Sequence, residues 1–169
     1  MIPTEIMIDG IVYSLIKKEI INSINSETMT FDFGDGLGPV PAHQHKNPDG
    51  SLGGWVAETA WVGKTAYVEE NARIFGQAVI YGQVQISNNV HINKKMCINH
   101  TTKIESQNDI IYGEMKWGDK LLSYTIYQDV ENVIWIWFGG CSKSLEEWKS
   151  CKPSFPIYQQ FVKFLDSVN

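Results

Sequence analysis

The residues able to do chemistry are few and scattered. His43 and His45 stand two apart, so an extended backbone would put both imidazoles on one side. With Asp35 or Asp49 they would begin a metal set, but the spacing supplies no third ligand, and a hydrogen-bonded loop role is the simpler expectation. The reading therefore assigns no metal and no cofactor. Gly53, Gly54 and Trp55 bring bare backbone beside an aromatic ring. With His43, His45, Asn47 and Arg73 they form the candidate ligand-binding set, able to stack on a planar ring and hydrogen-bond its edges. The competing expectation is that Trp55 merely packs a cap. His91 and His100 are read as outward, solvent-facing side chains. Cys97, Cys141 and Cys151 lie far apart without metal-like pairing and read as reduced thiols. Cys141, after Gly139-Gly140 and beside a Trp-rich segment, is expected to be a buried structural thiol.

The element that must position these groups is a repeat with a period of six, running from Trp55 to Ile104. Val56, Val62, Val68, Ile74, Ile80, Ile86, Ile92, Ile98 and Ile104 occupy its first position without exception. Ala60, Ala66, Ala72, Ala78, Val84, Val90, Met96 and Thr102 occupy the fifth. A period of six matches neither a helix nor simple strand alternation, and points to stacked short strands joined by turns. With three hexads to a turn of the stack, residues eighteen apart become neighbours, such as Trp55, Arg73 and His91. The small fifth position suits a tight corner. Eight hexads make fewer than three full turns of the stack, so capping segments, self-association or both are expected.

Three regions follow. Residues 1–54 hold a β-hairpin around Asp9-Gly10, then a polar stretch of short helix or loop, then a Gly- and Pro-rich capping loop from Asp32. Residues 55–104 are the repeat. Residues 105–169 hold antiparallel strands near 109–112, 121–127 and 133–138 plus two helices. In VIWIWF both faces are apolar, which predicts burial on both sides. Ser144 and Glu147 predict a helix-opening capping box, and the segment after Pro156 an amphipathic helix.

A formal net charge of −5 argues against a nucleic-acid polymer as partner. No apolar segment approaches the ~20 residues of a membrane span, and the N-terminus has no leader pattern, so the expected location is the cytoplasm.

The repeat resembles the hexapeptide-repeat superfamily. The flanks IMIDGIVYSL, DFGD, LGGWVAE and FGGCSKSLEEW look like those of phage and prophage hexapeptide proteins and of related uncharacterised acetyltransferase-like bacterial proteins. The resemblance implies a mainly β fold, a short left-handed parallel β-helix with an N-terminal hairpin and cap and a small C-terminal α+β domain. It implies a homo-oligomer, with a trimer favoured, in the host bacterial cytosol. In hexapeptide acyltransferases a His serves as general base between subunits, which would fall here to His91 or His100. The long prism and extruded loop of those enzymes are missing from the sequence. The functional expectation is therefore a non-enzymatic oligomeric binding protein that sequesters a small anionic or nucleotide-like ligand or a host protein, with host-defence evasion as its setting. Acyl transfer and a purely structural assembly module are the alternatives.

Overall fold

The structure, a computed structural model, describes residues 5–8, 11–14, 29–151 and 155–167. Strands β1 (Glu5–Ile8) and β2 (Ile11–Ser14) pair antiparallel, Ile8 opposite Ile11, flanking the turn expected at Asp9-Gly10. The turn itself, and the polar stretch up to residue 28, lie outside the described residues.

The capping loop is more regular than its composition predicts. After the short β3 (Thr30–Phe31), β4 (Val40–Lys46) and β5 (Leu52–Ala57) form an antiparallel hairpin with a register shift between Gln44 and Lys46. Pro41, the second residue of β4, has no N–H to donate, but its carbonyl accepts from the Glu58 N–H.

The repeat then lays down strands of two or three residues: β6 (Trp61–Val62), β7 (Tyr67–Val68), β8 (Arg73–Ile74), β9 (Val79–Ile80), β10 (Val84–Ile86), β11 (His91–Ile92), β12 (Cys97–Ile98) and β13 (Thr102–Ile104). Strands eighteen residues apart pair in parallel: Val56 with Ile74 and Ile74 with Ile92, Val62 with Ile80 and Ile80 with Ile98, Val68 with Ile86 and Ile86 with Ile104. Backbone N–H groups such as those of Gly63, Phe75 and Tyr81 donate to carbonyls one tier on. Apart from half-buried Val62, the first-position side chains are fully enclosed. Burying each β-branched side chain stabilises the stack by about 1.5–3 kcal/mol.

The expected single left-handed parallel β-helix is corrected by this topology. The strands are divided among several small separate sheets: β11-β8-β5-β4-β3, β12-β9-β6, β13-β10-β7, the β1–β2 pair and a four-stranded C-terminal sheet. The first of these is mixed, because β4 and β3 add antiparallel to β5, and the last is antiparallel throughout. The physical reason is local. Turns interrupt the backbone after every two or three strand residues, so a ladder does not continue from one column into the next.

The C-terminal sheet comprises β14 (Ile110–Trp117), β15 (Lys120–Gln128), β16 (Ile134–Phe138) and β17 (Cys141–Ser144). The fourth strand has no apolar signal and was not expected. The sheet is sandwiched. Ile110, Tyr127 and Trp135 pack on the repeat core, while Ile136 and Phe138 pack on α1 (Leu145–Ser150) and α2 (Pro156–Ser167) through Trp148, Phe161 and Leu165. Two-sided packing accounts for the apolar alternation of β16. The Ser144–Glu147 capping box opens α1, as the sequence predicts. Among the described residues no helix is long and apolar enough to cross a membrane.

Candidate functional site

Each candidate residue has a definite place. His43 is exposed, its Nδ1 2.6 Å from Glu58 Oε1. His45 is buried and donates from Nε2 to the Ala66 carbonyl at 3.0 Å. Burial lowers its pKa, so the ring is neutral near pH 7, and the donated bond assigns the proton to Nε2. Asn47 is also buried, and its carboxamide engages one residue at both ends: Val68 N–H donates to Oδ1 at 2.8 Å and Nδ2 donates to the Val68 carbonyl at 3.2 Å. A side-chain amide thus stands in for a neighbouring strand under β7. A Cβ on Gly53 would come 2.2 Å from the Val68 carbonyl oxygen, and one on Gly54 2.2 Å from that of Ala72. His45, Asn47, Gly53 and Gly54 therefore close the first tier rather than face a ligand. His43 and His45 take separate partners, and among the described residues no group of His, Cys, Asp or Glu is placed to hold a metal.

Trp55 and Arg73 do come together. They are register partners in adjacent strands, and Arg73 is partnered in turn by His91. The three line a surface hollow of about 370 Å³ together with Gln44, Glu70, Asn71 and Asn89. Phe31 stacks on Trp55 with ring centroids 4.7 Å apart, and the Arg73 guanidinium lies over Phe31 at 5.4 Å while donating to the Phe33 carbonyl. Arg73 is the only arginine in the chain and, among the described residues, forms no ion pair with a carboxylate. Burial and the neighbouring Arg73 charge both lower the pKa of His91, leaving a neutral imidazole beside a permanent cation. Such a set offers an anion the fixed positive charge of Arg73, opposed by the Glu70 carboxylate in the same lining, a planar ring an aromatic edge, and polar edges several amides.

The sequence reading missed Gln44, Asn71 and Asn89. Asn71 and Asn89 are eighteen apart, so the register that aligned Trp55, Arg73 and His91 would also have aligned them. Gln44 had no such signal, since it arrives through the antiparallel pairing of β4 with Trp55.

His100 sits elsewhere. Its ring stacks on Trp135 at 3.4 Å, and Nδ1 lies 2.7 Å from Tyr127 Oη. Burial lowers its pKa, partly offset by Asp129 and Glu147. His91 and His100 are both half-buried rather than fully solvent-facing. Cys141, expected to be buried, is exposed: it begins β17 at the outer end of the sheet, with Tyr158 Oη 3.7 Å from its sulfur. Cys97 is the buried thiol, its pKa raised to about 11 by desolvation, which makes it inert at neutral pH. Compared with known protein-family models, curated proteins and solved structures, the chain returns no match.

Proposed function

We propose that the chain is a non-enzymatic binding protein of the phage type, acting as an oligomer in the cytosol of a bacterial host. Its ligand is a small molecule combining a planar ring with an anionic group, as a nucleotide does. The carrying observation is that Trp55, Arg73 and His91, distant in sequence, are direct neighbours across three strands and open onto one hollow with Gln44, Asn71 and Asn89. Arg73 supplies charge and a planar fork of donors, Trp55 the ring contact, and the amides the edge recognition.

The test is native mass spectrometry of the purified protein, followed by denaturation and identification of any released small molecule, with thermal-shift titration of nucleoside mono- and diphosphates. A released or stabilising anion whose effect disappears in Arg73→Gln supports the reading. Absence of both sinks it. Turnover of an acyl-coenzyme A lost in His91→Ala or His100→Ala would establish the acyltransferase alternative instead, and a defined oligomer with neither property the structural one.

A further inference from the structure

We propose that a second hollow, between the repeat and the C-terminal sheet, is a binding site for a sugar ring carrying adjacent hydroxyl groups. It measures about 430 Å³ and lies against the β9–β12 column, walled by Val79, Tyr81 and Lys95 on one side and by Trp137 and Ser142 on the other, with Asn99 between.

Its polar groups are locked before any ligand arrives. Asn99 Oδ1 accepts from Tyr127 Oη at 2.6 Å and from Ser142 Oγ at 3.0 Å, which occupies both of its lone pairs. In this orientation of the carboxamide Nδ2 has no acceptor among the described residues. Ser142 Oγ donates to Asn99 and also interacts with the Tyr127 hydroxyl, and its oxygen can still accept from a ligand. A fixed donor and a fixed acceptor therefore sit side by side, and ordering them on binding costs little. Neighbouring hydroxyls on a ring, each both donor and acceptor, complement such a pair.

The walls supply the other half of sugar recognition, an apolar surface for C–H groups beside polar edges. Trp137 is half-buried, while Tyr81 is 47% exposed and packs at 4.6 Å against Trp61, itself 49% exposed. Two large rings side by side in solvent are costly unless something packs on them. Lys95 is the one residue in the lining charged at neutral pH, so a neutral polyhydroxyl ligand fits better than a polyanion. This sets the hollow apart from the Arg73 site, which lies on a different column of strands.

A sugar ring can come from a free saccharide or from the ribose of a nucleoside. The test is ligand-observed saturation-transfer NMR and calorimetry on the full chain with methyl glucoside, N-acetylglucosamine, adenosine and deoxyadenosine. We expect a diol-bearing probe to bind in the millimolar range or tighter. Ser142→Ala should weaken it about five- to tenfold, the loss of one hydrogen bond. Trp137→Ala should remove detectable binding and Trp137→Phe should retain most of it, while Arg73→Gln leaves it unchanged, separating this site from the first. Saccharide binding without adenosine identifies a free saccharide as the source; adenosine binding without deoxyadenosine identifies ribose. No binding by any probe, equal binding of adenosine and deoxyadenosine, or an unaltered Ser142→Ala variant overturns the proposal.

Discussion

The two ends of the stacked strands are closed by opposite means. At the first tier, backbone is pressed against backbone: β5 approaches so closely that Gly53 and Gly54 have no room for a Cβ, and Asn47 and His45 bond directly to Val68 and Ala66. At the third tier, side chains act as spacers. Cys97 N–H donates to Thr125 Oγ1, Asn99 N–H to Tyr127 Oη, His91 N–H to Gln107 Oε1 and Glu105 N–H to Asp109 Oδ2. Both arrangements satisfy strand edges that would otherwise invite pairing with another chain. The second leaves a gap between the cap and the tier itself. The Thr125 and Tyr127 hydroxyls reaching across from β15 hold the sheet away from the tier, and the Asn99 hollow opens in the gap. The close backbone cap leaves no gap beneath Gly53 and Gly54, and its hollow opens to the side at Trp55 and Arg73, whereas the side-chain spacers leave a gap directly between sheet and tier.

That contrast can be broken from either side. The largest effect should come from Gly54→Ala, whose new methyl group meets backbone that cannot yield. We expect a loss of more than about 3 kcal/mol, or failure to fold, measured by urea unfolding. Next is Asn47→Asp, which keeps the acceptor for Val68 N–H but sets a buried carboxylate oxygen against the Val68 carbonyl, at a cost of about 2–3 kcal/mol at neutral pH. Asn47→Gln losing as much would show that position as well as chemistry matters.

At the other end, Thr125→Val strands one buried N–H and should cost about 1–2 kcal/mol, while Thr125→Ser recovers most of it. If Thr125→Val were neutral by the same urea measurement, the spacer account of the far end would fail. Ser144→Ala, which removes the capping box of α1 away from both ends, should cost about 1 kcal/mol and leave ligand binding unchanged.

The smallest effect is graded with pH. Folding holds the pKa of His45 below its ordinary 6.5, so the folded chain binds fewer protons than the unfolded one in that range. The contribution to stability is fully present above 6.5 and is lost as pH falls toward the folded value. His91 and His100 are shifted the same way and steepen the decline. Urea midpoints between about pH 7 and pH 5 should fall with acid, and less steeply in His45→Gln. A flat profile would show that the buried imidazole carries no such penalty.

The sequence alone carried everything that depends on periodicity or adjacent residues. Nine β-branched residues six apart determine which side chains point inward and which outer residues are neighbours, so the line of Trp55, Arg73 and His91 was legible. The pairing of β1 with β2, the Ser144 cap and the packing of β16 against groups on both its faces were legible for the same reason, being set by a few consecutive residues. Tertiary structure alone decided what depends on non-periodic contacts between distant segments. The division into small mixed and antiparallel sheets, the service of His45 and Asn47 as strand substitutes, the exposure of Cys141 and the hollow at Asn99 all arise where one irregular segment meets another. A repeat specifies its own neighbours because each six-residue unit faces the same environment. A cap meets an environment that occurs once, and its geometry exists only when both partners are in place.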